Sequence, residues 1–469
     1  MTALPVPLLV TRAREAAEGW SALSFREREH QLRRWAAELA RARAGIVATI
    51  CRETGKPAGD AELELVVGLE HVSWTARHAE RVMRPRRVAP GLLAVEHRAV
   101  VVRRPLGVVG VIGPWNYPAL TPLGVLAGAL AAGNTVVFKP SEYTPDTGRA
   151  LAEAFERANP GSGAVLQVLP GAGEAGAALC RAGTDKIAFT GSTRTGQAVM
   201  AACAESLTPV VLECGGNDAL IVAEDADVEA AARAAAWGAF SHAGQTCAGV
   251  ERIFVAEPVS EAFIAALTRE LDPVRAGEHY GALTTPAQEA VVRRHVEDAV
   301  DHGGRFLFGG NGSFRAPGVI DPVVLTGVAQ DRPAVHEETF GPLAVLRVVR
   351  DLDEGIRLSN SVPQALGAAV FSASADEGVA ARLRAGMVSV NGVLTFGGIA
   401  ALPFGGNGAS GFGRVHGEEG IREFTSAQSV TVRRLRLTGS GVTRLRSPWW
   451  KRPLLRAALH RHRTPRDLP

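Results

Sequence analysis

Residues 105–138 read PLGVVGVIGPWNYPALTPLGVLAGALAAGNTVVF, without a single charged side chain. With Arg103 and Arg104 just before it, the stretch imitates a membrane span. Pro114, Asn116, Pro118 and Pro122 decide against that reading. A spanning helix needs about 20 apolar residues, and each interior proline removes a backbone hydrogen bond. The stretch instead divides into short elements. Val108–Ile112 is a β-branched run suited to a strand buried on both faces. Residues 122–132 then form a helix stopped by Gly133, and 135–138 a second strand.

The same alternation continues outward. It predicts a helix over 147–158, strands over 165–168 and 186–189, a glycine-bounded loop, a helix over 197–204 and a strand over 209–212. Strands alternating with helices imply a parallel, doubly wound α/β sheet. The pattern restarts after Gly216 with helices over 228–241 and 261–271 around a strand over 252–255, so a second α/β domain begins near 216. On the other side, residues 11–50 have helical spacing, and 85–104 (RPRRVAPGLLAVEHRAVVVR) read as an antiparallel hairpin.

A chain of 469 residues is long enough for two or three domains. Its charge is uneven. Residues 433–469 hold eleven Lys or Arg against Asp467 alone, which leaves the first 432 residues at −7 within a total of +3. The acidic body gives no reason to expect nucleic-acid binding. Five widely spaced cysteines without a CxxC pair argue against a disulfide framework or a metal site, and point to a reducing, cytoplasmic setting. The start, MTALPVPLLVTRAR, has no cation ahead of its broken apolar run and is a poor signal peptide.

Four segments can carry chemistry. In Gly244-Gln245-Thr246-Cys247-Ala248-Gly249, a cysteine among small residues is either a core thiol or a nucleophile that a substrate can reach. In Val210-Val211-Leu212-Glu213-Cys214-Gly215-Gly216, a glutamate ends an apolar strand, either as a general base or as an ion-pair partner. In Gly113-Pro114-Trp115-Asn116-Tyr117-Pro118, Asn116 is a turn residue or an oxyanion donor. Phe189-Thr190-Gly191-Ser192-Thr193-Arg194-Thr195-Gly196 joins a strand to a helix, where backbone amides can meet a pyrophosphate.

Taken in order, with 34 residues from Glu213 to Cys247, these segments resemble the aldehyde dehydrogenase superfamily. Supporting matches are Glu53-Thr54-Gly55-Lys56-Pro57, Gly133-Asn134-Thr135-Val136-Val137-Phe138-Lys139-Pro140-Ser141-Glu142, Glu337-Glu338-Thr339-Phe340-Gly341-Pro342, Pro403-Phe404-Gly405-Gly406 and Ser410-Gly411-Phe412-Gly413-Arg414. The resemblance spans about 11 to 435, and the region around His416-Gly417-Glu418-Glu419-Gly420 is most similar to bacterial succinate-semialdehyde dehydrogenases and broad-specificity relatives. It implies Cys247 as nucleophile, Glu213 as the base that activates water, and Asn116 with the Cys247 amide as oxyanion donors. It implies a coenzyme, NAD with NADP as the alternative, held by Trp115, Lys139, Ser141, Glu142, Gly191, Ser192, Glu338 and Phe340. It lines a substrate tunnel with Tyr117, Thr121, Gly124, Ser241, Thr246, Ala248, Phe396 and Phe404. Gly124 and Ser241 are small where many relatives carry aromatics, which implies a roomy entrance.

The resemblance also implies the layout. Residues 1–84 and 106–215 bind the dinucleotide, 216–410 form the catalytic domain, and 85–105 with 411–436 form an oligomerisation element for a homodimer or homotetramer. The basic tail, 437–469, follows. Within it, 444–463 can lie weakly on an anionic membrane surface through a short helix opened by Pro453, with Trp449 and Trp450 at the headgroup level; the alternative is a tail that docks on a partner subunit or is disordered. Three positions depart from the family pattern: Cys214 for Leu, His242 for Asn and Asn217 for Lys. Two rival readings differ from this one. A CoA-acylating relative typically lacks the glutamate present here as Glu213, and a non-catalytic relative usually loses the nucleophile or base.

Overall fold

The computed structural model describes residues 5–91, 94–434 and the helix Lys451–His460. The uncharged stretch resolves into three of the expected elements. Strand Val108–Ile112 runs parallel to Thr135–Lys139, with helix Leu120–Ala131 between them. All but two of that helix's residues are buried, so a helix apolar on every side is a core helix here and not a span.

These strands belong to a six-stranded sheet. Its order is Gly411–Phe412, Val210–Cys214, Lys186–Gly191, Val108–Ile112, Thr135–Lys139 and Leu166–Val168. The last five run parallel, and Gly411–Phe412 pairs antiparallel with Leu212 and Glu213 at the edge. A seven-stranded sheet follows, ordered Arg305–Phe308, Val323–Thr326, Leu343–Val349, Val250–Ala256, Asp218–Val222, Gly367–Phe371 and Met387–Val390. Its second core packs helices Val228–Phe240 and Ser260–Leu271 against the Val250–Ala256 face through Phe240, Ile253, Phe263 and Leu267.

Element limits differ from the sequence reading where a cap or an N-terminal proline sets the helix start. The helix expected from 197 begins at Thr193, because the Ser192 hydroxyl accepts from the Thr195 N–H and caps it. The helix expected from 147 begins at Pro145, where a missing N–H is harmless. Residues 11–50 are parts of three helices, Val6–Ala22, Phe25–Arg41 and Arg43–Thr54, the second opened by a Ser24–Glu27 capping box.

The described residues fall into two compact units. The larger comprises residues up to Val82 and Pro105–Phe424, and holds both sheets; the smaller comprises Met83–Arg104 and residues from Thr425 on. The segment 411–436 is divided between the two units. Residues 411–424 lie in the larger unit, because Gly411–Phe412 completes the first sheet and helix Gly417–Glu423 packs on Leu120–Ala131. In the smaller unit, Arg86–Val88 and His97–Pro105 form the expected hairpin, and Thr425–Arg433 is an edge strand beside His97–Pro105. The tail helix spans Lys451–His460 with Arg452, Pro453, Arg456 and Leu459 exposed, while Trp449, Trp450, Arg461 and Arg463 lie outside the described residues. No helix among the described residues is long and apolar enough to cross a membrane.

Candidate active site

One large cavity, about 990 Å³, lies in the larger unit beside the carboxyl ends of the first sheet's parallel strands. Such sheets place sites there, because helices cover both faces and the connections that diverge at the carboxyl ends leave a crevice. The strand Val210–Cys214 delivers Glu213 to its end, opposite Thr190 on one neighbour and Gly411 on the other. Glu213 is 4% exposed, and neither carboxylate oxygen has a hydrogen-bond partner among the described residues. Burial pushes its pKa well above the usual carboxylate range; Arg414 pulls it back and Glu423 adds to the rise.

Cys247 enters the same cavity from the loop after helix Val228–Phe240. This loop is wound tightly. His242 and Ala243 take the left-handed conformation at φ 49° and 55°, followed by Gly244 at φ 70°. Non-glycine residues held there cost about 1–3 kcal/mol each. A Cβ at Gly244 would stand 2.1 Å from the Gly341 carbonyl, so the sharp turn needs glycine for space as well as for φ. Cys247 is half-buried. Burial pushes its thiol up to about 12, and the acidic side chains of Asp218, Glu338 and Glu213 add to the rise.

Asn116 follows the strand Val108–Ile112 and is 5% exposed. Its amide Nδ2 donates to the Gln245 carbonyl at 2.9 Å, two residues before Cys247. Next to it, the Tyr117 hydroxyl shares a 2.9 Å hydrogen bond with Thr246 Oγ1. The asparagine loop is thereby tied twice to the cysteine loop across 129 positions of sequence.

Residues 2–430 match the aldehyde dehydrogenase family. The chain belongs to the aldehyde dehydrogenase family. It is 37% identical over 440 residues to a Methylomonas protein named 4,4'-diapolycopene aldehyde oxidase, covering 91% of this chain and 82% of that one. It is 36% identical over 448 residues to a Mycolicibacterium smegmatis protein named as a succinate-semialdehyde dehydrogenase (NADP+), covering 92% and 86%. A solved aldehyde dehydrogenase from Brucella melitensis superposes with a TM-score of 0.86 at 32% identity, over 92% of this chain and 90% of that one. The protein is thus an oxidoreductase that oxidises aldehydes with NAD(P).

Of the residues the sequence put forward for this dehydrogenase, Cys247, Glu213, Asn116, Trp115, Lys139, Ser141, Glu142, Gly191, Ser192, Glu338 and Phe340 all line the one cavity. So do Tyr117, Thr121, Ser241, Thr246, Ala248, Phe396 and Phe404. The donor set fits a dinucleotide. Lys139 Nζ is 3.1 Å from Glu142 Oε2, and the half-exposed Glu142 carboxylate can accept from ribose hydroxyls. Ser192 and Thr195 open helix Thr193–Ala204, whose first-turn amides favour an anion. Glu338 accepts from the Gly216 N–H at 3.1 Å, and the Phe340 and Trp115 rings meet edge to face at 5.4 Å.

Gly124 is the exception. It does not line the cavity, and its small size leaves no room at the entrance. The His416 ring fills that space: a Cβ on Gly124 would stand 2.3 Å from His416 Nε2. Glycine is there because histidine is.

Other members of the site were not singled out from sequence. Lys56 and Glu64 form an ion pair at 2.5 Å with both side chains fully buried. Glu64 Oε1 also accepts from the Ala119 and Leu120 amides at the start of helix Leu120–Ala131, and Lys56 Nζ sits 3.7 Å above the Tyr117 ring. This arrangement fixes the loop that carries Asn116. Asp218, 4% exposed, adds a second buried carboxyl near Cys247 beside that of Glu213. The Glu-Thr-Gly-Lys-Pro motif was visible, but nothing in it names Glu64 as the partner of Lys56.

Proposed function

We propose that this dehydrogenase converts its aldehyde to the free acid through a covalent adduct on Cys247, resolved by water that Glu213 activates. The observation that carries the reading is the meeting of Asn116 with the backbone two residues before Cys247, in a cavity that also holds the unpartnered Glu213 carboxyl. The Cys247 sulfur, once deprotonated, bonds to the aldehyde carbon and the carbonyl oxygen gains negative charge. The Asn116 amide and the Cys247 N–H stabilise that charge. What NAD(P) supplies when bound is hydride acceptance, which turns the adduct into a thioester. Glu213 then takes a proton from water as the water oxygen bonds to the acyl carbon, the C–S bond breaks and the acid leaves.

Lys139, Ser141, Glu142, Gly191, Ser192, Trp115, Glu338 and Phe340 hold the coenzyme in this reading, with residues 1–84 and 106–215 as its domain and 216–410 as the catalytic one. NAD is preferred, because the Glu142 carboxylate accepts from ribose hydroxyls and repels a 2′-phosphate. A panel of aldehydes scored by reduced-coenzyme formation with each coenzyme tests both parts. The expected kcat/KM is higher with NAD for every aldehyde turned over. Equal or higher values with NADP would reject the preference, and no acid product would reject the reaction.

The exposed edge strand Thr425–Arg433, beside the hairpin of 85–105, supports assembly into a homodimer or homotetramer, since a long exposed sheet edge invites association. The basic tail supports weak attachment to anionic membranes, through a helix too short to span one. Full-length protein is expected to co-sediment with anionic vesicles at low salt more than a chain truncated after Gly441. Equal recovery would remove the membrane role.

A further inference from the structure

A further buried carboxyl has no part in the chemistry of Cys247 and Glu213. Glu251 is 6% exposed and lies four residues after the cysteine, on strand Val250–Ala256. Where that strand pairs with Asp218–Val222, Asp218 faces Val250 and Ala219 faces Arg252, so Glu251 is the extra residue of a β-bulge. A bulge leaves one residue out of the ladder and re-aims its side chain. Glu251 is aimed at the turn of residues 337–340. Its Oε1 and Oε2 accept from the Thr339 N–H at 3.0 and 2.8 Å, and Oε1 also accepts from the Phe340 N–H at 2.8 Å.

The turn it holds faces two ways. Thr339, 1% exposed, belongs to the core: its hydroxyl is 3.0 Å from His295 Nδ1, and its carbonyl accepts from Gln288 Nε2. Glu338 and Phe340, on either side of it, line the cavity. Phe340 stands at φ 51°, in the left-handed region that a non-glycine residue keeps only where its surroundings impose it. The next residue, Gly341, brings its carbonyl against Gly244 of the cysteine loop. The turn assigned to the coenzyme and the segment of the nucleophile are thereby joined at two places, at Glu251 and at Gly244.

An ion pair with its neighbour does not account for Glu251. The Arg252 guanidinium is directed instead to the carbonyls of Asn217, Leu358 and Ser359, at 2.6–3.1 Å. Burial favours the neutral form of the Glu251 carboxyl, whereas the Thr339 and Phe340 N–H groups favour the charged form, which accepts more strongly. Removing that carboxylate would release the turn and leave two buried N–H groups unmatched. Lys139, Glu142 and Ser192 belong to the first sheet and its connections, and would stay in place. The oxidation step is sensitive to such a release, because a misplacement of about 1 Å costs roughly a hundredfold in rate.

We propose that Glu251 is a positioning residue for the oxidation step: it fastens the turn that carries Glu338 and Phe340 to the strand that follows Cys247. The inference rests on the reading that Cys247 is the nucleophile and that Glu338 and Phe340 hold the coenzyme. Two reactions of the same protein separate this role from support of the fold. Aldehyde oxidation needs hydride transfer to the coenzyme. Hydrolysis of p-nitrophenyl acetate without coenzyme does not: the Cys247 sulfur bonds to the acetyl carbon, p-nitrophenolate leaves, and water activated by Glu213 frees acetate. Glu251→Ala is expected to slow reduced-coenzyme formation in a single turnover about a hundredfold, and to leave ester hydrolysis within about twofold of the wild type. Deuterium on the aldehyde carbon should slow the variant more than the wild type, since hydride transfer becomes limiting. Glu251→Gln keeps an oxygen that can accept from both N–H groups, and is expected to recover oxidation to within about tenfold of the wild type. Glu251→Asp keeps the charge but withdraws it by one methylene; it should lose oxidation selectively too, and it serves where the alanine variant does not fold. Parallel loss of both reactions in a folded variant, or oxidation unchanged in Glu251→Ala, would overturn the proposal. None of these outcomes touches the role of Cys247, which fails only if turnover survives its replacement.

Discussion

Cys247→Ala is expected to abolish aldehyde-dependent formation of reduced coenzyme, by about a thousandfold or more, while coenzyme binding is retained. Removal of a covalent nucleophile has effects of this size or larger, because the remaining groups then act on a bond that nothing has opened. The alanine leaves the loop's left-handed turn at His242–Gly244 and the Asn116–Gln245 hydrogen bond in place, so the loss belongs to the sulfur. The wild type carries a linked signature. With its thiol pushed up to about 12, Cys247 is mostly protonated near neutrality, and its thiolate share rises about tenfold per pH unit below that value. The rate of adduct formation in a single turnover should therefore climb with pH. Stopped-flow absorbance of the reduced coenzyme, with fluorescence titration of binding, checks both. An alanine variant turning over near the wild-type rate would remove Cys247 as nucleophile.

Glu213→Gln is expected to slow steady-state turnover by about a hundredfold to ten-thousandfold, the usual contribution of a general base, and to let an acyl group accumulate on Cys247. Intact-mass measurement of the quenched protein reads the adduct directly. Slow turnover with no adduct would move Glu213 to an earlier step. The same variant should be more stable than the wild type. Neither Glu213 oxygen has a partner among the described residues, and burial raises its pKa. For a carboxyl raised on folding, no penalty exists while both states are protonated. The penalty appears as pH rises above the unfolded value and grows until the folded group ionises. The gain of the glutamine variant, about 1–3 kcal/mol at most, should therefore increase with pH across that window, and thermal unfolding at several pH values measures it. Function and stability pull in opposite directions at this position.

What the sequence determined by itself is local or repeated. Strand Val108–Ile112 is legible to the residue, because a β-branched run bounded by glycines has one reading in a buried sheet. Glu213, at a strand end, and Asn116 and Cys247, in the loops that follow a strand and a helix, are legible as candidates because their segments stand in a recognisable order. Helix starts are less legible where the signal is a single cap, as at Ser192. The tertiary structure decided everything that depends on residues distant in sequence. It ties Asn116 to Gln245, sets Lys56 and Glu64 beneath the asparagine loop, and lays His416 over Gly124. Read alone, Gly124 signals empty space, since a sequence states which side chain is missing and not which one fills its place. The reason is physical: secondary structure follows from interactions a few residues long, whereas the packing of a cavity wall is fixed only when the chain closes.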